Sequence, residues 1–148
     1  MRIALKYGLL ITLVVAVWIV VVRLWIGIGS DSKLNIIAPI LFNLTAILST
    51  YAGIKEWQRQ RGEGFSFKQG LKTGMAISLV YAISACLFFV AEYLVSGPKL
   101  LQGEFGPSNL SFRQMALRAY GGLFFGSLFF GLIYSTIISF ILVRQRRS

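Results

Sequence analysis

The sequence predicts an all-α integral membrane protein, a four-helix bundle made of two antiparallel transmembrane hairpins. Three observations carry that expectation. Four apolar stretches, at about residues 5–28, 34–54, 71–95 and 116–143, fill most of the chain, and no charge interrupts the middle of any of them. Each exceeds the roughly 20 residues a helix needs to cross the hydrocarbon of a bilayer. The 148 residues are 56% hydrophobic, with a mean hydropathy of +0.72. A soluble globule of that composition would expose large apolar patches, whereas in lipid apolar side chains face outward. No segment between the stretches is long enough to fold alone, so the chain reads as a single transmembrane domain over 1–148.

The first span is too long for the apolar region of a signal peptide. Ile26-Gly27-Ile28-Gly29 matches a small-x-small cleavage site poorly, so a retained helix is expected. A tight outer turn follows at Gly29-Ser30-Asp31-Ser32. The second span carries Pro39 in its first turns, where a missing N–H costs little. The third span opens on Ser66-Phe67-Lys68-Gln69 and the fourth on Ser111-Phe112-Arg113-Gln114. Each is a Ser-x-x-Gln capping box, in which two side chains satisfy otherwise orphaned N–H groups, and Leu110 with Met115 adds a hydrophobic staple. The likeness reads as two similar caps at a membrane surface rather than as a duplication. The second box starts helix four ahead of its apolar run, after a Gly- and Pro-containing outer loop at 96–109.

Charge sets the orientation. The net charge is +10, from 15 basic and 5 acidic residues. Ten of the 15 lie on one side: Arg2 and Lys6, then Lys55, Arg59, Arg61, Lys68 and Lys72 between spans two and three, then Arg144, Arg146 and Arg147. Short cytoplasmic loops carry the basic excess, so both termini are expected in the cytoplasm. Tyr7, Tyr51 and Trp57 fall at the inner interface and Trp25, Tyr93 and Tyr120 at the outer one, where amphipathic rings are favoured. Basic residues placed at helix ends point to anionic phospholipid headgroups rather than to nucleic acid. Lys55, Arg59, Arg61, Lys68 and Lys72 are the expected contacts, at about 1 kcal/mol each.

Helices in lipid gain little from hydrophobicity, so small residues mark where they meet. Span one offers Gly8, Thr12 and Ala16; span two Asn43, Ala46, Thr50 and Gly53; span three Gly70, Gly74, Ser78, Ala82 and Ala85. Span four offers Gly122, Gly126, Ser127, Gly131, Ser135 and Ser139, with Phe124, Phe125, Phe129 and Phe130 beside them. Asn43, Ser78, Ser127 and Ser135 are the expected polar packing residues, and an interhelical hydrogen bond from Asn43 is worth about 1 kcal/mol. Arg23 and Glu92 are charges embedded near span ends. From Lys6, Arg23 lies about 26 Å along its helix; from Lys72, Glu92 lies about 30 Å along its own. Each follows an alanine of its helix's small face (Ala16, Ala85) by seven residues. Two readings stand: an ion pair between helices one and three, or two side chains that snorkel separately to the headgroups.

The sequence offers no chemical constellation. There is no His, the commonest general base and metal ligand. There is no carboxylate pair, and the single Cys86 lies inside span three. The serines of span four lack an adjacent base. Arg61-Gly62-Glu63-Gly64 lacks the strand-turn-helix context of a phosphate loop. No catalytic residue, metal ligand or cofactor is expected.

Two segments carry a family resemblance. The helix end Gly53-Ile54-Lys55-Glu56-Trp57-Gln58-Arg59 leads to Gly64-Phe65-Ser66-Phe67-Lys68-Gln69-Gly70-Leu71-Lys72-Thr73-Gly74, and the chain begins Ala4-Leu5-Lys6-Tyr7-Gly8-Leu9. These resemble the bacterial four-helix membrane family called domain of unknown function 4199. The resemblance implies four helices in a bacterial inner membrane and transfers no functional residue. Gly97–Asn109 lies outside it. The expected role is a non-catalytic bundle that associates with itself or with a membrane partner. The alternative is a small oligomeric transporter or channel, although such proteins usually place an ionisable group near the bilayer midplane.

Overall fold

The computed structural model describes residues 2–26, 32–96 and 112–145. Among them run four helices: α1 (Arg2–Ile26), α2 (Ser32–Arg61), α3 (Phe67–Ser96) and α4 (Phe112–Gln145). All four are long and apolar enough to cross a membrane, over Arg2–Val21, Ile37–Arg61, Phe67–Val95 and Ala116–Gln145. The tight outer turn, the loop at 97–109, Leu110, Ser111 and the Met115 side chain lie outside the described residues.

The helices outrun their apolar stretches. No breaker follows Ile54 until Gly62, so α2 continues through Lys55–Arg61. Arg59 and Arg61 occupy its last turn, where the carbonyl end of a helix favours cations. Gly62 then takes φ +55°, a left-handed conformation that glycine adopts without penalty, and a single 3₁₀ turn, Gly62–Gly64, reverses the chain. Because α2 starts at Ser32, Pro39 stands seven residues inside it. There its ring removes the bond to the carbonyl four residues back.

The capping box at Ser66 forms in part. The amides of Gln69 and Gly70 reach the Ser66 carbonyl at 3.1 Å, and the Gln69 amide reaches Ser66 Oγ at 3.4 Å, which is long. The reciprocal half is missing. Gln69 Oε1 is buried and accepts no hydrogen bond among the described residues.

Small residues set the spacing of the helices. On α3 and α4 glycine faces serine in antiparallel register: Ser139 covers Gly70, Ser135 covers Gly74, and Ser78 covers Gly131. Each step moves four residues up one helix and four down the other, so one stripe meets the other along its length. α1 runs parallel to α3, with Gly8 against Val80 and, one turn on, Thr12 Oγ1 2.6 Å from Ser84 Oγ. Tyr7, near the start of α1, packs on Gly53 near the end of α2, so these two helices are antiparallel. Ile54, Phe65, Ile138 and Leu142 form a core cluster under the turn that follows α2. A second cluster joins Ala4, Ile11 and Ile77. The outward faces are apolar: Leu13, Ile40, Leu87 and Phe125 are each more than 60% exposed, as lipid-facing side chains would be.

Candidate functional site

Two places in the bundle gather polar groups. The first is at the end where α2 finishes and α1 and α3 begin. Glu56 Oε2 accepts from Lys6 Nζ at 2.9 Å and from Tyr7 OH at 2.8 Å, tying α1 to α2. Sequence reasoning missed this knot. Its signal was Glu56, a carboxylate beside Lys55 at the inner end of α2, level with Lys6 and Tyr7.

Aromatic rings and cations pair throughout this end. Lys6 lies over Tyr7, Lys55 over Tyr51 and Arg61 over Trp57, at 4.9, 5.1 and 4.8 Å from the ring centroids. Such pairs add attraction of about 0.5–1 kcal/mol at exposed sites. A cleft of about 450 Å³ opens beside them between the starts of α1 and α3 and the end of α2. Arg61, Lys72, Gln69 and Thr73 form its polar part; Ile3, Ala4, Ala76 and Trp57 form its apolar part.

The five basic residues expected to share one role are therefore divided. Arg61 and Lys72 share the cleft. Lys55 is directed to Tyr51, donating to its hydroxyl at 3.1 Å. Arg59 and Lys68 are exposed and do not line the cleft.

The second place is half-way along the spans. A cleft of about 220 Å³ lies between α2, α3 and α4. Asn43, Thr50, Ser78, Ser127 and Tyr134 give it polar character, and Phe42, Tyr81 and Phe130 give it aromatic walls. Tyr134 OH donates to Asn43 Oδ1 at 2.6 Å, and Asn43 Nδ2 donates to the Pro39 carbonyl at 2.7 Å, so Asn43 joins α2 to α4. The serines behave differently from Asn43. Ser78, Ser127 and Ser135 each donate to the carbonyl four residues earlier on their own helix. They pack as small residues rather than as bridges between helices, because a short hydroxyl reaches its own backbone more readily than a neighbouring helix.

Gly122 and Gly126 also depart from expectation. Beyond the local backbone of α4 itself, no described atom lies within 4 Å of where a Cβ would sit on either, and both line this cleft. The small-residue stripe of α4 is thus filled by α3 from Gly131 onward and open before it. Phe125, Phe129 and Phe130 beside it are exposed.

The Arg23 side chain lies outside the described residues; Glu92 is half-buried. The register set by Thr12 and Ser84, carried up eight residues, puts Val20 level with Glu92 and Arg23 about one turn beyond. Among the described residues no three His, Cys, Asp or Glu side chains cluster.

The fold and these two clefts define a class, the polytopic all-α membrane bundles. No family model matches the chain, and neither does any curated protein or solved structure.

Proposed function

We propose that this protein is a non-catalytic helical bundle that works by associating with another transmembrane helix, of a second copy or of a partner membrane protein. The observation that carries this reading is the open Gly122-x-x-x-Gly126 segment of α4. Glycines at this spacing let backbones approach closely in lipid. The same chain uses its other small residues in that way, with Gly8, Gly53, Gly70, Gly74 and Gly131 all covered. In this reading the bundle sits in a bacterial inner membrane with both termini cytoplasmic, in line with the basic residues gathered at that end and with the resemblance to the domain of unknown function 4199 family. Anionic phospholipids of the inner leaflet are the expected lipid partners.

The experiment is native mass spectrometry of protein taken from its membrane in lipid nanoparticles, for wild type and for Gly122→Leu/Gly126→Leu. A stoichiometric second chain or copy that is lost in the double variant supports the reading. A wild-type protein that comes out alone ends it.

The mid-span cleft favours a second reading, a small oligomeric transporter or channel. Its Asn43, Thr50, Ser127 and Tyr134 form an uncharged polar lining at membrane depth. Flux of small neutral or ionic solutes into liposomes, lost in Asn43→Leu, would support this alternative; no flux in any oligomeric form counts against it.

A further inference from the structure

The cleft at the starts of α1 and α3 has the composition of a lipid site, which is more specific than a basic surface. It offers two cations, Arg61 and Lys72, on facing helices. Thr73 and Gln69 also line it. Ile3, Ala4 and Ala76 continue the wall as apolar surface, and the Trp57 ring carries the Arg61 guanidinium 4.8 Å from its centroid.

The planar guanidinium fork of an arginine matches the oxygens of a phosphate. Lys72 adds a second positive charge without fixed geometry. Glu56, next to Trp57 in sequence, is engaged by Lys6 and Tyr7 and does not line this cleft. At about 450 Å³ the cleft falls in the roughly 300–1,000 Å³ range of small-molecule sites.

We infer that this cleft binds the phosphodiester headgroup of an anionic phospholipid. Arg61 and Lys72 hold the phosphate, and the Ile3–Ala4–Ala76 wall takes the first carbons of the acyl chains. The inference rests on residence in a membrane but not on helix association. A protein that is monomeric in the nanoparticle experiment can still bind lipid here.

The test uses full-length protein in a zwitterionic detergent. The variant Trp18→Phe/Trp25→Phe leaves Trp57 as the sole tryptophan reporter. Short-chain phosphatidylglycerol should change Trp57 fluorescence saturably, while short-chain phosphatidylcholine and inorganic phosphate at equal concentration should not. Arg61→Gln and Lys72→Gln should each weaken binding several-fold, and the pair by about tenfold or more. Lys55→Gln, Arg59→Gln and Lys68→Gln should leave it within about twofold. Ala76→Leu, which keeps every charge and fills the apolar wall, should abolish saturation.

Equal losses from all five charge variants would replace the site by a diffuse electrostatic field and overturn the inference. Competition by inorganic phosphate as strong as that of the lipid would assign the cleft to a free anion instead. Full binding by Ala76→Leu, with wild-type helicity and elution, would exclude the cleft.

Discussion

The Ser78 side chain occupies the space where a Cβ of Gly131 would stand, and one turn away Ser135 does the same to Gly74. Glycine and serine thus exchange places across the α3–α4 seam. Each serine hydroxyl is satisfied by its own helix, Ser78 by the Gly74 carbonyl and Ser135 by the Gly131 carbonyl. The seam is therefore a contact of shape, made without hydrogen bonds between these side chains.

It follows that Gly131→Ala and Gly74→Ala should destabilise the bundle, since the added methyl meets serine Cβ atoms that have nowhere to go. Overpacking of this kind costs about 1–3 kcal/mol. Gly126→Ala should be close to neutral for the monomer, because its Cβ points into the open cleft. Reversible unfolding in mixed micelles measures all three, and a cost for Gly126→Ala equal to that for Gly131→Ala would contradict this account of the seam.

Ser139 lies in the same seam opposite Gly70, but its buried hydroxyl finds no partner among the described residues. Ser139→Ala removes a desolvated polar group and no hydrogen bond. The expected outcome is neutral to stabilising by up to about 1 kcal/mol. Ser139→Val, which adds bulk against Gly70, should instead destabilise. A loss of stability in the alanine variant would mean that the hydroxyl has a bound water or other partner.

The Tyr134–Asn43 bond links α2 to α4. Interhelical hydrogen bonds in membranes are worth about 0.6 kcal/mol on average and up to about 1.7. A double-mutant cycle of Tyr134→Phe and Asn43→Ala should return a coupling energy in that range. Strictly additive losses would mean that the two side chains do not depend on each other.

At the other end of α2, Glu56 accepts from both Lys6 and Tyr7. The Lys6 side chain is more than half exposed, so solvent and salt screen its share. The Tyr7 ring is packed on Gly53 and holds the hydroxyl in place. Glu56→Gln should speed amide hydrogen exchange in the first turns of α1 more than Lys6→Met does. Equal effects of the two substitutions would place the weight of the knot on the ion pair.

Near the other ends of α1 and α3, Arg23 and Glu92 are about one turn apart in the parallel register, a gap that an arginine side chain can span. If they pair, Glu92→Ala should destabilise less when Arg23 has already been replaced. Additive losses would leave each charge with the headgroups.

The number and apolar character of the helices were legible in the chain, because transfer into lipid is summed residue by residue and needs no neighbour. A basic connection between spans two and three was legible too, but its first residues, Lys55–Arg61, are helix, and the turn itself is confined to Gly62–Gly64. The stripe residues Gly70, Gly74, Ser78 and Ser135 could be read as packing surface from their four-residue spacing. Which stripe each one meets could not. Gly122 and Gly126 show the same spacing as Gly70 and Gly74, yet one pair lines an open cleft and the other is covered by serines.

That difference depends on the rotation and register of whole helices. These are set by the total packing of two surfaces, not by any one residue's preference. The division of the basic run has the same origin. Sequence alone places Lys55, Arg59, Arg61, Lys68 and Lys72 at one membrane surface. Only the meeting of α1, α2 and α3 puts Arg61 and Lys72 across one cleft and turns Lys55 toward Tyr51. The sequence by itself determined a four-helix protein of the membrane with a basic end. The tertiary structure decided which small faces close, which stays open and which cations act together, because contact between distant segments exists only once the helices have packed.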